Sequence, residues 1–377
     1  MQTYTLPYVS IIKRLTGAYC YVVTVNNTLS FIKVKKIKDI ISIQIPSGKR
    51  FFFLGWVQNI LALRKLIAKK RIAYVHPWCT PAGAIGVILK VFNKNVKLTI
   101  DSFEPHAEAM VENKTWTRSG LKYKALFYFE KLEARLSNNL VFAAPGMEDY
   151  IREKYKVSVS NYSVKPACIN LNEFSFGSVK NRELLQKYSL NDKIVCAYAG
   201  KFGGIYLEDE TFAFIGNCEK YWGEDKFRFL LLSNVSNEYV HEKAVKHGIK
   251  PGTIVKLFVP HKEVPQYMGM ADFAICPVKP VPTKKYCTPI KNGEYWAMGL
   301  PVVIPPNISV DSDIIKENNA GTIIESFDDN GYSRAVKQID TIINGKSRAE
   351  VYEKIRPLAE KYRNFSIAEK VYSQIYK

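Results

Sequence analysis

The sequence lacks several features that would each decide a class of protein. It contains no run of about 18 uninterrupted apolar residues, which argues against a transmembrane helix. Its seven cysteines are scattered without a CxxC pair, a pattern typical of reduced thiols in a cytosolic protein rather than of a disulfide framework or a zinc site. No signal peptide opens the chain. We therefore expect a cytoplasmic protein whose contact with a membrane, if any, is peripheral and on the inner face.

Acidic residues are scarce in the first part of the chain. Asp39 is the only one among the first 100 residues, which hold 16 lysines and arginines, whereas the whole chain carries a net charge of +19. This imbalance predicts an anionic partner, either a membrane surface or nucleic acid, unless it is a general surface bias. No recognised basic-aromatic motif supports nucleic acid, so we expect none to be bound. The candidate membrane contacts are the basic end of segment 51–71 and the lysines at 33, 35, 36 and 38. The alternatives are a core helix for the segment and an edge strand for the lysines.

Alternating apolar strands and helix-length periodic segments are present almost throughout. A chain of 377 residues is long enough for two domains. The alternation predicts an α/β protein with two doubly wound, Rossmann-like modules facing a central cleft. The first strands are predicted at 18–25, 72–77, 96–101 and 139–145. After a connector, a second series is predicted at 193–200, 227–234, 253–260, 272–278, 301–305 and 321–326.

The segment CTPIKNGEYWAMGLPVV, from Cys287 to Val303, is the most informative part of the sequence. It joins a turn, a short helix and a buried strand. Pro289 is tolerated in a first helical turn, where the N–H groups and the helix dipole favour an anion such as a diphosphate. Glu294 follows in the next turn, and a carboxylate at this point can accept two hydrogen bonds from a ribose diol. The alternative is an ordinary helix–strand junction with a solvated glutamate.

The second half of the chain resembles the donor-binding domain of GT-B glycosyltransferases, most closely the family 4-like retaining enzymes. The matching stretches, in the order of the family, are AYAGKFGGIY (197–206), LFVPHKEVPQYMGMADFAICPV (257–278), CTPIKNGEYWAMGLPVV (287–303) and AGTIIES (320–326). The resemblance implies an acceptor-side domain over 1–165. Compared with the family, the first strand of this domain is missing from the sequence pattern. It implies a donor-binding domain over 166–355 and a helix over 356–377 that crosses back to the first domain.

The resemblance also implies roles for individual residues. Glu294 matches the glutamate that binds the donor ribose. Lys201 matches a basic residue that follows the first strand of the donor domain. The other implied donor-binding residues are Gly200, Gly203, Gly204, Thr288, Pro289, Ile290 and Lys291. Two positions depart from the family pattern, because Tyr286 replaces a glutamate that contacts the sugar and Tyr206-Leu207 stands where a second basic residue is often found.

Polar residues at strand ends in the first half are the candidate catalytic groups. The loop IDSFEPHAEAM (100–110) supplies Asp101 and His106, which we expect to face the transferred sugar; solvent-exposed or buried structural roles are the alternatives. Two acidic clusters imitate metal motifs: Asp311-Ser312-Asp313 and Glu208-Asp209-Glu210. Each precedes or opens a helix, where acidic residues suit the dipole, so we expect no metal site and no cofactor.

These patterns together predict a metal-independent, hexosyltransferase-type retaining glycosyltransferase. It would move a sugar from a nucleoside-diphosphate sugar to a saccharide or polyprenyl-linked acceptor in surface polysaccharide biosynthesis. Two alternatives share the fold: a nucleotide-sugar 2-epimerase and a non-catalytic nucleotide-sugar-binding protein. The sequence names neither the base, nor the sugar, nor the acceptor.

Overall fold

The chain divides into two compact units. The structure, a computed structural model, describes residues 5–37, 39–46 and 52–376, with the side chains of 52–54 left out. Lys38, one of the candidate membrane contacts, lies outside the described residues. Unit 1 comprises Met1–Lys165 and Ser366–Lys377, and unit 2 comprises Pro166–Phe365.

The first element that the structure describes in unit 1 is a helix; three strands follow it directly, and helices and further strands come after them. Its helices are α1 (Leu6–Thr16), α2 (Phe52–Lys70), α3 (Thr80–Phe92), α4 (His106–Glu112), α5 (Leu121–Leu136) and α6 (Met147–Tyr150), which continues as a π-helical turn over Ile151–Tyr155. Its strands are β1 (Tyr21–Asn26), β2 (Lys33–Ile37), β3 (Ile40–Pro46), β4 (Tyr74–Val75), β5 (Lys97–Phe103), β6 (Asn139–Phe142) and β7 (Tyr162–Val164).

The described strands of unit 1 form two sheets rather than one doubly wound sheet. Strands β1 and β3 are parallel, and β2 joins β3 as an antiparallel edge, in the order β1-β3-β2. The other sheet is parallel, in the order β4-β5-β6-β7. The sequence-based prediction missed β3 and β7. The lysine-rich segment KVKKI forms the edge strand β2, which was the alternative to a membrane contact, and every residue of it but the last is exposed.

Unit 2 contains the second predicted series of strands. These are β8 (Ile194–Ala199), β9 (Phe227–Leu232), β10 (Ile254–Leu257), β11 (Phe273–Ile275), β12 (Val302–Ile304) and β13 (Gly321–Ile323). Its helices are α7 (Arg182–Lys187), α8 (Asp209–Trp222), α9 (Asn237–Lys246), α10 (Val264–Met268), α11 (Ile290–Ala297), α12 (Asp311–Glu317), α13 (Asp329–Ile343) and α14 (Arg348–Tyr362). Short 3₁₀ turns lie at Phe176–Ser178, His261–Glu263 and Pro282–Tyr286, and α15 (Phe365–Ile375) ends the chain.

All six strands of unit 2 are parallel, in the order β10-β9-β8-β11-β12-β13. Numbered from β8, this is the order 3-2-1-4-5-6 of dinucleotide-binding folds. Alternate residues of β8 enter different cores: Val195 and Ala197 pack on one face, and Cys196 and Tyr198 on the other. Both faces of the sheet are therefore covered, as parallel sheets require.

The closing helix expected over 356–377 is divided in the structure, where α14 ends at Tyr362 and α15 begins at Phe365. The break falls at Arg363 and Asn364. The side chain of Arg363 is buried, and its Nη2 donates to Oδ1 of Asp311, the first residue of α12. Its backbone carbonyl accepts a hydrogen bond from the N–H of Ile169 at 2.9 Å. These bonds hold the chain out of helical register at the point where it leaves unit 2.

The buried Asp311–Arg363 pair also fixes α11. Nδ2 of Asn292, in the first turn of α11, donates to Oδ2 of Asp311 at 2.7 Å. The Arg363 guanidinium carbon lies 5.2 Å from the ring centre of Trp296, and its aliphatic stem passes so close to Gly293 that an added Cβ would lie 2.9 Å from Cγ. The expected capping role of Asp311 is therefore too simple, because its carboxylate joins α11, α12 and the end of α14.

We predict that Arg363→Met destabilises the protein by about 3–5 kcal/mol, because it leaves the Asp311 carboxylate buried without its cation. Urea-induced unfolding measures the change. The matched control is Arg152→Met, since Arg152 pairs with Asp149 on the surface and such a pair contributes about 0–1 kcal/mol. Equal effects of the two substitutions would contradict the structural role. The double variant Asp311→Leu with Arg363→Met is expected to be more stable than Arg363→Met alone.

Candidate functional site

The carboxyl ends of β8 and β11 lie side by side at the point where the strand order of unit 2 reverses. Open α/β sheets bind ligands at this position. The loops that leave the two strands run together: the N–H of Leu207 donates to the carbonyl of Pro277 at 2.7 Å, and the N–H of Lys279 donates to that of Ile205 at 2.9 Å. Tyr206 and Val278 form an antiparallel bridge between them. We refer to residues 200–208 and 276–291 as the donor loops.

Gly200 and Lys291, both predicted donor-binding residues, meet in the donor loops. Gly200 has a φ of +152°, which side-chain-bearing residues rarely adopt. A Cβ atom at this position would lie 2.6 Å from Cε and 3.0 Å from Nζ of Lys291. The glycine therefore leaves the space through which the lysine side chain reaches the end of β8.

The ammonium group of Lys291 is held by Tyr206. Nζ donates to the Tyr206 hydroxyl at 2.7 Å and lies 4.3 Å from the centre of that ring. A second ring, that of Tyr198, has its centre 5.7 Å from the same nitrogen. In the sequence, Tyr206 indicates only that a basic residue is missing. In the structure, its hydroxyl holds the ammonium group of another basic residue, Lys291.

The start of α11 differs by one residue from the sequence-based expectation. The helix begins at Ile290, so Pro289 is its N-cap, with φ −64° and ψ 112°, and does not lie in the first turn. The N–H of Asn292, which was expected to point out of the helix, donates to the Pro289 carbonyl at 3.2 Å. Thr288, Pro289 and Ile290 are half-buried beside Lys291.

Glu294 lies one turn into α11 and is 5% exposed. Its Oε1 is 3.8 Å from Nε2 of His261, which belongs to the 3₁₀ turn that follows β10. Hydrogen bonding to this carboxylate raises the pKa of His261, although burial partly opposes the effect. The sequence analysis did not single out His261, although the residue lies within the quoted stretch LFVPHKEVP. The structure therefore adds a histidine partner to the carboxylate predicted to bind ribose.

The remaining predicted residues of the first donor loop are more open. Gly203 and Gly204 have φ values of +92° and +61°, which glycine adopts without strain. The Gly204 carbonyl accepts a hydrogen bond from Nζ of Lys279 at 2.7 Å. The side chain of Lys201 is exposed, while its carbonyl accepts from the Tyr198 hydroxyl at 2.7 Å. The backbone of Lys201 is thus fixed while its side chain reaches solvent.

Asp101, predicted to face a sugar, is completely buried in unit 1. Its carboxylate lies 3.2 Å from Nζ of Lys165, 3.1 Å from Nε2 of His76 and 2.6 Å from the Tyr372 hydroxyl. Burial by itself would raise its pKa, but Lys165 and His76 outweigh burial and hold the pKa of Asp101 well below its usual range. This environment favours a structural carboxylate, held ionised among three donors, over a group that contacts substrate.

His76 extends the same cluster and takes the place next to Asp101 that was expected of His106. The Trp78 ring stacks on the imidazole with ring centres 4.5 Å apart, and Nδ1 is hydrogen-bonded to the Tyr376 hydroxyl. His106 instead opens α4 and is half-buried. The N–H of its neighbour Ala107 donates to Glu130 at 2.9 Å.

Both acidic clusters that imitate metal motifs contain an aspartate that is paired with basic groups. Asp311 binds Arg363, and Asp209 lies 2.8 Å from the ammonium groups of Lys243 and Lys246. Within residues 5–37, 39–46 and 52–376, no group of three or more histidine, cysteine, aspartate or glutamate side chains is arranged to hold a metal ion.

Comparisons with known proteins agree with this geometry. Residues 197–340 match the family described as glycosyl transferases group 1. The structure is similar to sucrose-phosphate synthase from Thermosynechococcus elongatus (TM-score 0.73, 15% identity, 98% of this chain and 92% of that one). It is also similar to WaaG, a glycosyltransferase of lipopolysaccharide biosynthesis (0.67, 16%, 98% and 93%), and to Anabaena HepE in complex with UDP-glucose (0.66, 10%, 89% and 85%). The search of curated sequences finds no match.

The resemblance inferred from the sequence is thereby confirmed: residues 197–340 match the group 1 glycosyltransferase family, and the structure has the α/β architecture of the GT-B fold. Such low identities to the solved structures establish the fold alone. Among the helices that the structure describes, none is long and apolar enough to cross a membrane.

Glu130 generates a prediction about pH. This carboxyl group is buried, and burial raises its pKa to about 7 despite hydrogen bonds from Ala107, Tyr155 and Thr80. An unfolded glutamate titrates near 4.5. Between these pH values the folded state binds more protons than the unfolded state, so the free energy of unfolding falls as pH rises, by roughly 2–3 kcal/mol from this group.

Glu130→Gln should flatten that part of the pH dependence, because the amide stays neutral throughout. Urea unfolding at pH 4.5, 5.5, 6.5 and 7.5 provides the comparison. Glu153→Gln, at an exposed position of the π-helical turn, is the control and should keep the wild-type slope. An unchanged slope in Glu130→Gln would refute the assignment.

Proposed function

We propose that the protein is a retaining, hexosyltransferase-type glycosyltransferase. It transfers a sugar from a nucleoside-diphosphate sugar to a saccharide or lipid-linked saccharide in surface polysaccharide biosynthesis. Unit 2 is the donor-binding domain, and unit 1 is the acceptor-side domain to which the end of the chain returns. The observation that carries the proposal is that Gly200 and Lys291 meet at the strand-order reversal of unit 2, with Glu294 one turn further along α11.

The donor loops have the chemistry to hold a diphosphate. The ammonium groups of Lys201 and Lys291 supply positive charge, and the start of α11 adds its dipole. The backbone at Gly200, Gly203 and Gly204 allows close approach of phosphate oxygens. Thr288, Pro289 and Ile290 line the turn before the helix. These groups neutralise the leaving diphosphate without a metal ion.

Glu294 would accept hydrogen bonds from the ribose hydroxyls. The group is nearly buried, so a bound ribose replaces little water at the carboxylate, and its Oε1 lies 3.8 Å from Nε2 of His261. Carboxylates are acceptors only when ionised, and a diol presents two donors. The arrangement therefore suits a ribose rather than a second anion.

In unit 1 we retain His106 as the group that contacts the transferred sugar and give Asp101 a positioning role. Asp101 is enclosed by Lys165, His76 and Tyr372, so its carboxylate orients the loop that carries His106. His106 is the first residue of α4 and lies six residues after Ile100, the apolar residue that precedes Asp101 in β5.

A solved structure that is similar to this one indicates which nucleotides to test first. The Anabaena HepE structure contains UDP-glucose, so UDP and UDP-glucose are the first probes for this chain. The epimerase alternative remains open and is separated by incubation with the donor alone, since an epimerase converts it and a transferase only hydrolyses it slowly. A non-catalytic binding protein would bind nucleotide and show no turnover.

Glu294→Ala should weaken UDP binding about 10- to 100-fold, because the variant loses hydrogen bonds to a charged acceptor, each contributing about 1.5–3 kcal/mol. Isothermal titration calorimetry gives the dissociation constants. Glu242→Ala, an exposed position on α9, is the control. Wild type should also prefer UDP over its 2′,3′-dideoxy form, and Glu294→Ala should not. A variant that binds both forms as wild type does would remove the ribose assignment.

We assign the proposed peripheral membrane contact to residues 31–36 rather than to the basic end of the helix at 51–71. Phe31, Ile32 and Val34 are exposed by 65%, 47% and 61%, and exposed lysines at 33, 35 and 36 interleave with them. These six residues form the hairpin surface. Aromatic and aliphatic side chains among lysines suit the interface of an anionic bilayer. A second protein copy fits less well, because lysines along an edge strand oppose pairing.

A cavity of about 200 Å³ opens near the hairpin surface. It is lined by Val25, Ile45, Trp56, Asn59, Ile60 and Leu63 among others, at the carboxyl ends of β1 and β3. Antiparallel pairing of β2 with β3 sets Lys33 opposite Gln44, so Ile32 lies at the same sheet edge as Ile45. The apolar lining suits part of the hydrocarbon chain of a lipid-linked acceptor.

Replacing Lys33, Lys35 and Lys36 by glutamine should lower the partition into anionic vesicles about 100-fold, since each lysine contributes about 1 kcal/mol. Co-sedimentation with phosphatidylglycerol-containing vesicles at low salt measures this. Phe31→Ser should also weaken binding, whereas Val245→Ser, at an exposed apolar position of unit 2, should not. Failure of wild type to sediment with the vesicles would end the membrane proposal.

A further inference from the structure

The first donor loop departs from the family pattern at a single place that bears on charge. A second basic residue is often found there, five or six positions after Lys201, whereas this chain has Tyr206 and Leu207. Leu207 is buried, and its N–H is bonded to the Pro277 carbonyl. Tyr206 is half-buried, and its hydroxyl accepts a hydrogen bond from the Lys291 ammonium group at 2.7 Å.

We propose that Tyr206 is a positioning residue that holds the Lys291 ammonium group at the diphosphate-binding end of β8, and so replaces the missing basic residue. This inference rests on the proposed function. It differs from it because it concerns which side chain sets the position of the positive charge, not whether a nucleotide is bound.

The geometry supplies two attractions and one opening. The hydroxyl oxygen accepts a hydrogen bond from Nζ at 2.7 Å, and the ring face lies 4.3 Å from the same atom, a cation–π distance. On the opposite side, Gly200 leaves room for Cε and Nζ. A lysine side chain is a flexible stem with a compact charge, so an unheld ammonium group would sample many positions. Tyr206 and Gly200 together restrict it to one.

The same contacts explain why a tyrosine suffices. A second cation placed at 206 would repel Lys291 across less than 5 Å, whereas a phenol attracts it. Lys291 begins on α11 and not on the first donor loop, so the positive charge reaches the loop from the neighbouring strand connection. With Tyr206 at this position, the positive charge comes from Lys291 on α11 and not from the first donor loop. The charge still lies beside that loop.

Binding of UDP and of uridine to wild type, Tyr206→Phe and Tyr221→Phe tests the proposal, with GDP, ADP and their nucleosides as further pairs. Removing the hydroxyl should weaken diphosphate binding about 5- to 15-fold, because one hydrogen bond that fixes the charge is lost. Nucleoside binding should change less than twofold. Tyr221→Phe, whose hydroxyl bonds Asp340 on α13, should leave both affinities unchanged. Equal losses for diphosphate and nucleoside would indicate mere packing and overturn the proposal.

A double-variant cycle with Lys291→Met shows whether Tyr206 acts through the lysine. Lys291→Met should weaken diphosphate binding at least as much as Tyr206→Phe, and adding Tyr206→Phe to it should change the affinity less than twofold. If the two substitutions weaken diphosphate binding independently, so that their effects multiply, the proposal is overturned. Unchanged diphosphate affinity in Lys291→Met would also overturn it. That measurement stays informative even if Tyr206→Phe does not fold. If wild type binds none of the nucleotides, the proposed function fails and this inference falls with it; if wild type binds but Tyr206→Phe is unaffected, only the inference fails.

Discussion

The reversal of strand order between β8 and β11 is the constraint on which the candidate site depends. Strand β8 connects outward to β9 on one side of the sheet, and β11 connects to β12 on the other. The sheet therefore extends from these two strands in opposite directions, and open α/β sheets bind ligands at the carboxyl ends of the strands at such a point. Gly200 and Lys291 are separated by ninety-one positions in sequence, yet this topology brings the lysine ammonium group to within contact of the glycine.

Two buried aspartates tie the end of the chain to the two units. In unit 2, Asp311 binds Arg363, and in unit 1, Asp101 binds Tyr372. A buried carboxylate without a partner is strongly unfavourable, so each pair specifies where one of the last helices docks. From neighbouring residues in sequence, Asp311 resembles part of a metal motif and Asp101 was expected to contact the sugar. Their burial among cations instead gives each a structural task.

The sequence predicted what depends on local pattern. All six strands of unit 2 follow from apolar runs, and their order along the chain indicated the fold because parallel strands need long connections. What it could not predict depends on residues far apart. Nothing near Asp101 indicates that Lys165 and Tyr372 surround it, the latter 271 positions away. Strand β3 was missed although its sequence IISIQIP has the alternating isoleucines of a half-buried strand, so here the sequence held the signal and the prediction overlooked it.

The residues that depart from the family pattern show how a binding site can keep its electrostatics while its composition changes. A positive charge near a diphosphate is defined by where the nitrogen lies, not by the position in sequence that carries it. Lys291 reaches the first donor loop from α11 because Gly200 has no side chain and Tyr206 offers both an oxygen and a ring face. An alignment of positions registers Tyr206 as a lost cation. If Lys291 supplies the charge as we propose, a cation still lies beside the first donor loop, and its distance from a phosphate governs the attraction.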